Sequence, residues 1–211
     1  MNFKKAKTSI GYFFMSVFAI FIGLYPIAFM FIPEDQSLLS SKPEYLLQEN
    51  WYLIAFYTHI FLGGLSLLVG FSQFFKKLRK KRLGLHKLLG KIYVYAVLLS
   101  GVSGLVIAFF ASGGIISAFG FGALAILWLY TTAMAYLTIK QKNIDAHQRW
   151  MIKSYALCFA AVTLRVYLPI FLAGFKMEFI FAYRIIAWLC WVPNLLVAEF
   201  LIVRPLKTTH L

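Results

Sequence analysis

Apolar positions along the chain gather into six long runs: Gly11–Ile32, Trp51–Phe75, Leu88–Phe110, Ile116–Ile139, Trp150–Phe171 and Phe179–Val203. Each is longer than the roughly 20 residues a helix needs to cross a hydrocarbon core. Lipid offers the backbone no hydrogen-bond partners, so each run must satisfy its N–H and C=O groups internally, as a helix. The pattern predicts an all-α, polytopic membrane helix bundle of about six transmembrane helices, a single integral membrane domain over residues 1–211. Trp51, Tyr52, Trp150 and Tyr183 lie near run ends, where aromatic belts are expected. Lys4, Lys5 and Lys7 precede the first run as they would in a signal peptide. That run exceeds a signal core in length, and no small-x-small cleavage site follows, so it reads as the first membrane helix.

Polar segments between the runs alternate in charge. The N-terminus, the 76–87 loop, the 140–149 loop and the tail after Val203 are basic, with Lys76, Lys77, Arg79, Lys80, Lys81 and Arg82 the densest cluster. The opposite segments carry Glu34, Asp35, Glu44 and Glu49 against Lys42, then Ala111–Ile115, then Lys176 with Glu178. With run ends included and Arg165 set apart, seventeen Lys and Arg fall on one side and three on the other. The positive-inside rule then places both termini in the cytoplasm. The basic cluster reads as a topology signal that touches anionic lipid, with docking of an acidic cytosolic partner as the alternative.

Composition agrees with the pattern. The chain is 62% hydrophobic and 13% charged, against about 45–50% and about 25% in soluble domains, so lipid must be the solvent of its surface. The net charge of +14 therefore reports membrane orientation and not nucleic-acid binding. Cys158 and Cys190 sit inside apolar runs without a CxxC motif and read as small buried hydrophobes.

Ionisable residues within spans are expensive and usually face the bundle interior. His59, Arg165, Arg184 and Glu199 lie within runs, and His86 and His147 at inner boundaries. At about 1.5 Å per residue, His59, Arg165 and Arg184 share the outer half, while His86, His147 and Glu199 share the inner edge. Helical periodicity puts His59, Gly63, Ser66, Gly70 and Gln73 on one face of the second span. It puts His86, Gly90, Tyr93, Val97 and Gly104 on one face of the third. A helix that begins before Trp150 carries His147, Ser154, Cys158, Ala161 and Arg165 as a stripe. Glycine four residues after His59 and after His86 clears space beside an imidazole for a neighbouring helix or a flat ligand. Two readings stand at these positions: small residues are the usual device of helix packing in lipid, and boundary His or Lys residues snorkel to water. Arg165 has no carboxylate in the outer half of the last two spans. It reaches outer water or awaits an anion such as a carboxylate, phosphate or haem propionate.

The segments LHKLLGKIYVYAVLLSGVSGL (Leu85–Leu105), LWLYTTAMAYLTIK (Leu127–Lys140), HQRWMIKSYALCFAAVTLRVYLP (His147–Pro169) and AWLCWVPNLLVAEF (Ala187–Phe200) resemble a bacterial family of multi-pass membrane proteins catalogued as a domain of unknown function. The resemblance covers nearly everything from His59 to Phe200. It implies the bacterial cytoplasmic membrane and no particular activity. A looser likeness, His opening a helix with Gly four residues on, is similar to b-type membrane cytochromes of the ascorbate-reducible and ferric-reductase kinds. Two bis-His haems need four placed histidines. This chain has His59, His86 and His147, with His210 in the tail, so one pair, His86 with His147, is level with itself.

Three functions follow as expectations. In the first, the chain is a haem b or quinone-linked electron-transfer protein with a redox partner. There His86 and His147 are axial ligands to haem iron, Arg165 and Arg184 bind propionates or a quinone head, and His59 is a hydrogen-bond or proton partner. Trp128, Trp188 and Trp191 suit a flat cofactor and equally suit core and lipid. In the second, Arg165 and Arg184 form the site of a transporter for a small anionic or lipid-like solute. Against it, the sequence shows no inverted repeat and no paired broken helices, although Pro169 and Pro193 interrupt backbone hydrogen bonding. In the third, the chain is a non-enzymatic assembly component or subunit. No Walker-type loop, HExxH or GxSxG occurs.

Overall fold

The computed structural model describes residues 3–32 and 38–203, with side chains over 11–32 and 38–200. Glu34, Asp35 and His210, and the side chains of Lys4, Lys5 and Lys7, lie outside the described residues. Six helical stretches are long and apolar enough to cross a membrane, as the six runs predict. They are α1 (Phe3–Phe29), α3 (Asn50–Gly70, continued by a tight turn Phe71–Phe74), α5 (Leu83–Ala108) and α6 (Ile115–Lys140). The fifth combines α7 (Ile144–Cys158), α8 (Ala160–Pro169) and a wide turn Ile170–Gly174. The sixth combines α9 (Phe179–Leu189), α10 (Val192–Val197) and a wide turn Ala198–Val203. Short helices α2 (Glu44–Leu47) and α4 (Lys76–Lys81) lie in the first two connections.

Helix ends differ from the hydrophobic boundaries, because a helix needs hydrogen bonds and not lipid to continue. The third starts at Leu83 and the fifth at Ile144, so both carry their boundary histidine inside the first turn. Asn143 sets the second of these starts, its side chain accepting from the Ala146 N–H at 3.0 Å. Gly113 and Gly114, at φ 95° and 70°, turn the chain between α5 and α6 where a side chain would strain the backbone.

Neighbours in sequence pack as neighbours in space: α1 on α3, α3 on α5, α5 on α6, and α6 on α7 and α9. α8 touches both α9 and α1, which closes the ring. The predicted faces point inward. A Cβ on Gly64 would lie 2.6 Å from the Gly23 carbonyl, so α1 and α3 cross backbone to backbone. A Cβ on Gly70 would lie 2.5 Å from the Tyr155 ring and 2.9 Å from Tyr93. Tyr93, Val97, Ser100, Ser66 and Ser154 are fully buried, and both cysteines are free thiols in the core. At the bundle centre Ser154 Oγ shares hydrogen bonds with Tyr93 Oη at 2.7 Å and Thr132 Oγ1 at 2.6 Å. The helices thus meet around a hydrogen-bonded polar knot.

The last two spans depart from the expectation of unpaired, unbroken helices. The fifth breaks at Phe159 and the sixth at Cys190–Trp191. Pro193 accounts for the second break, since it has no N–H to give the carbonyl of Leu189. The breaks face each other: Thr163 Oγ1 donates to the Cys190 carbonyl, and Asn194 Nδ2 donates to the same carbonyl at 3.0 Å and to Thr163 Oγ1 at 3.1 Å.

A candidate polar site between the first, second and fifth spans

His59 sits nine residues inside the start of α3, and Arg165 nine residues before the end of the fifth span. At 1.5 Å per residue both lie about 14 Å from the acidic side. The fold brings them together. They line one cavity of about 50 Å³, walled by Ile22 and Pro26 of α1, Ile60, Gly63, Gly64 and Leu67 of α3, and Ala161 of α8. The two side chains are within electrostatic reach of each other. Space of this size admits a few water molecules or one small polar head, far less than a porphyrin.

Each polar side chain is held from behind. The Nδ1 of His59 lies 2.9 Å from the carbonyl of Ser100, and Ser100 Oγ donates to the carbonyl of His59 at 2.9 Å. The ring lies against Gly104 of α5, whose added Cβ would fall 2.6 Å from Nδ1 and 2.8 Å from Cε1. The glycine that clears room for this imidazole is therefore on the neighbouring helix. Gly63, four residues on in the same helix, faces Ser100 Oγ instead, and Gly90 faces Gln73 Oε1 and no imidazole. Arg165 Nη1 donates to its own helix at the Ala161 carbonyl, 2.9 Å away, and the guanidinium stacks over Tyr25 at 4.5 Å. Among the described residues the one ion pair is Lys153 with Glu199, at 2.7 Å, so Arg165 has no carboxylate there.

Arg184 is not part of this cavity. It is exposed, and its Nε donates to the Gly113 carbonyl at 2.8 Å, fastening the α5–α6 turn to α9. Glu178 caps α9, accepting from the N–H groups of Ile180 at 2.9 Å and Phe181 at 3.0 Å. Those donors hold its carboxyl below the ordinary carboxylate range.

On the basic side, His86 and His147 each stand three residues inside a helix start. They lie within electrostatic reach of each other, and Arg79 of α4 reaches both. His147 Nδ1 is 2.8 Å from the Ala135 carbonyl, which leaves its Nε2 as the free nitrogen. His86 Nδ1 is buried with no partner among the described residues. No cluster of three or more His, Cys, Asp or Glu suited to a metal occurs among the described residues. The tryptophans serve packing: Trp128 Nε1 reaches Tyr93 Oη at 3.5 Å, Trp188 Nε1 the Ile116 carbonyl at 3.2 Å, and Trp191 Nε1 the Ala187 carbonyl at 3.0 Å.

Two polar groups here do not stand out in the sequence. The charge pattern puts Lys153 with the basic flank, yet α7 carries it into the fifth span, where it pairs with Glu199 and lies over Trp150 at 4.7 Å. Arg79 is one of a basic run in the sequence. The signal for Lys153 was present, a lysine three residues inside an apolar stretch.

The chain belongs to a family described as predicted membrane protein, a domain of unknown function (DUF2306), which matches residues 56–202. The match includes His59, His86, His147, Arg165 and Arg184. No curated protein and no solved structure shows a significant match.

Proposed function

We propose, for this member of the DUF2306 family, that the cavity at His59 and Arg165 receives the oxygen-bearing head of a membrane-soluble amphiphile of the quinone class. The protein then takes part in quinone-linked electron transfer. One observation carries the reading: a guanidinium inside a membrane span, backed among the described residues by the Ala161 carbonyl and the Tyr25 ring, lines a cavity with His59. A fixed cation in an apolar wall favours an acceptor oxygen, because each bond it makes there is charge-assisted. A quinone arrives through lipid as a neutral molecule and pays little desolvation to reach that cation. The rest of the lining, Ile22, Pro26, Ile60 and Leu67, is apolar, and in about 50 Å³ the cavity takes the oxygen-bearing end of the head while the ring stays at its mouth.

The test is binding of a short-chain quinone to the purified protein in lipid nanodiscs, followed by quenching of tryptophan fluorescence. Arg165→Met is expected to weaken binding by about tenfold or more, the worth of a hydrogen bond to a charged group. Arg184→Gln is expected to leave it unchanged, since Arg184 serves the α5–α6 turn. Equal affinity in Arg165→Met and the unaltered protein would sink the proposal.

A second reading places a b-type haem at the basic side. Its support is the meeting of His86, His147 and Arg79, together with the orphaned, buried Nδ1 of His86. In it His86 and His147 would hold the iron, and Arg79 would offer a cation to a carboxylate of the group. His147 is held by its Nδ1 on a backbone carbonyl in the orientation that ligating histidines adopt. The iron would supply one-electron redox chemistry.

A further inference from the structure

We infer that the His59–Arg165 site takes its ligand in the form that carries an O–H group, a hydroquinone or other phenol, in preference to the oxidised quinone. This rests on the reading that the cavity receives the oxygen-bearing end of a quinone-class head, and it adds which redox form is bound.

The argument begins with the His59 tautomer. Its Nδ1 lies 2.9 Å from the carbonyl oxygen of Ser100, and a carbonyl only accepts, so the proton is on Nδ1. Ser100 Oγ, 3.3 Å from the same nitrogen, spends its proton on the His59 carbonyl at 2.9 Å. Turning the ring over would set a carbon against the Ser100 carbonyl and lose that bond. The Nδ1–Cε1 edge lies on Gly104, and Gly104 is not in the cavity wall. Nε2 makes no hydrogen bond among the described residues and is not sealed inside protein as an orphaned atom, and the space that His59 lines is this cavity, so Nε2 faces it. In the neutral ring Nε2 is a bare acceptor.

The wall thus presents one acceptor, His59 Nε2, and one group that only donates, the Arg165 guanidinium, among apolar side chains. A hydroxyl satisfies both at once: its hydrogen goes to Nε2 and its oxygen accepts from Arg165. A quinone carbonyl satisfies Arg165 and leaves Nε2 facing a second acceptor with no proton between them. Protonating His59 would repair that mismatch only by setting an imidazolium beside a guanidinium in an apolar wall, two like charges without a carboxylate.

The experiment compares a short-chain hydroquinone, kept reduced under anaerobic conditions, with its matching quinone, against the protein in nanodiscs. The hydroquinone is expected to bind about tenfold tighter or more. His59→Asn keeps a side-chain N–H for the Ser100 carbonyl and removes Nε2; it is expected to abolish the hydroquinone's advantage, so that the ratio of the two affinities falls to about one. Equal or tighter binding of the quinone by the unaltered protein overturns the inference and leaves the proposed function standing. So does a preference that survives His59→Asn. Failure of both forms to bind overturns the inference and the proposed function together.

Discussion

At the residue scale, the site depends on the absence of one methyl group. A Cβ on Gly104 would fall 2.6 Å from the His59 Nδ1, inside the distance at which something must move. Gly104→Ala is expected to push the imidazole off the Ser100 carbonyl, costing about 1–3 kcal/mol as overpacking does and removing ligand binding with it. Gly63→Ala meets only Ser100 Oγ at 3.3 Å and is expected to cost less. Thermal unfolding of both variants in mild detergent decides it, and an unchanged midpoint for Gly104→Ala would show that the ring is not held there. Spacing within one helix pointed to Gly63 because that is the only neighbour a sequence displays. Which residue of another helix lies opposite His59 depends on helix register, and register is set by packing.

Lys42 makes a pH-dependent prediction at the same scale. Its ammonium donates to the Phe110 carbonyl at 2.6 Å and to Ser112 Oγ at 3.1 Å, tying the first connection to the end of α5. Burial lowers its pKa from 10.5 to about 8. From about pH 8 to 10.5 the unfolded chain holds a proton there that the folded chain has lost, so stability contributed by Lys42 rises with pH across that window. Below pH 8 both states are protonated and the contribution is flat. The midpoint of the unaltered protein minus that of Lys42→Met, followed from pH 7 to 10.5, is expected to climb. A flat difference would contradict the burial of this amine.

At the element scale, the last two spans are each made of two helices, and their junctions are pinned to one another. Thr163 and Asn194 both supply hydrogens to the Cys190 carbonyl that the break releases. Replacing both, as Thr163→Val with Asn194→Leu, strands a buried carbonyl and is expected to cost about 1–3 kcal/mol. Hydrogen exchange should quicken at residues 190–195, and exchange identical to the unaltered protein would show that the pin carries no load. Half of this was legible: Pro193 announces a lost hydrogen bond in any helix. The break at Phe159 has no proline or glycine beside it, so no residue there announces it. The six spans themselves were legible because lipid leaves an apolar run no alternative to helix. Lys153 was hidden by the same logic, since a boundary drawn by hydropathy stops where charge begins and a helix does not.

At the scale of the whole molecule, polar chemistry occupies two levels joined by one inward face of α5. His86 and Ser100 are fourteen residues apart on that helix, about 21 Å. Between them lies the knot of Tyr93, Ser154, Thr132 and Trp128, whose hydroxyls are spent on each other and on backbone carbonyls. The knot closes this face of α5 to a solute and not to an electron, which is the argument for proposing electron transfer over transport, although the paired breaks in the last two spans are a feature transporters share. It also makes the two sites separable by experiment. If the basic-side histidines ligate haem, an oxidised-minus-reduced visible spectrum of protein made with adequate haem should show a sharp α-band. His86→Ala and His147→Ala should each abolish that band, and His59→Ala, some 20 Å away, should leave it. A flat spectrum from well-folded protein removes the haem reading and leaves the His59–Arg165 site untouched, because nothing in the binding of an oxygen-bearing head there requires iron at the other end of α5.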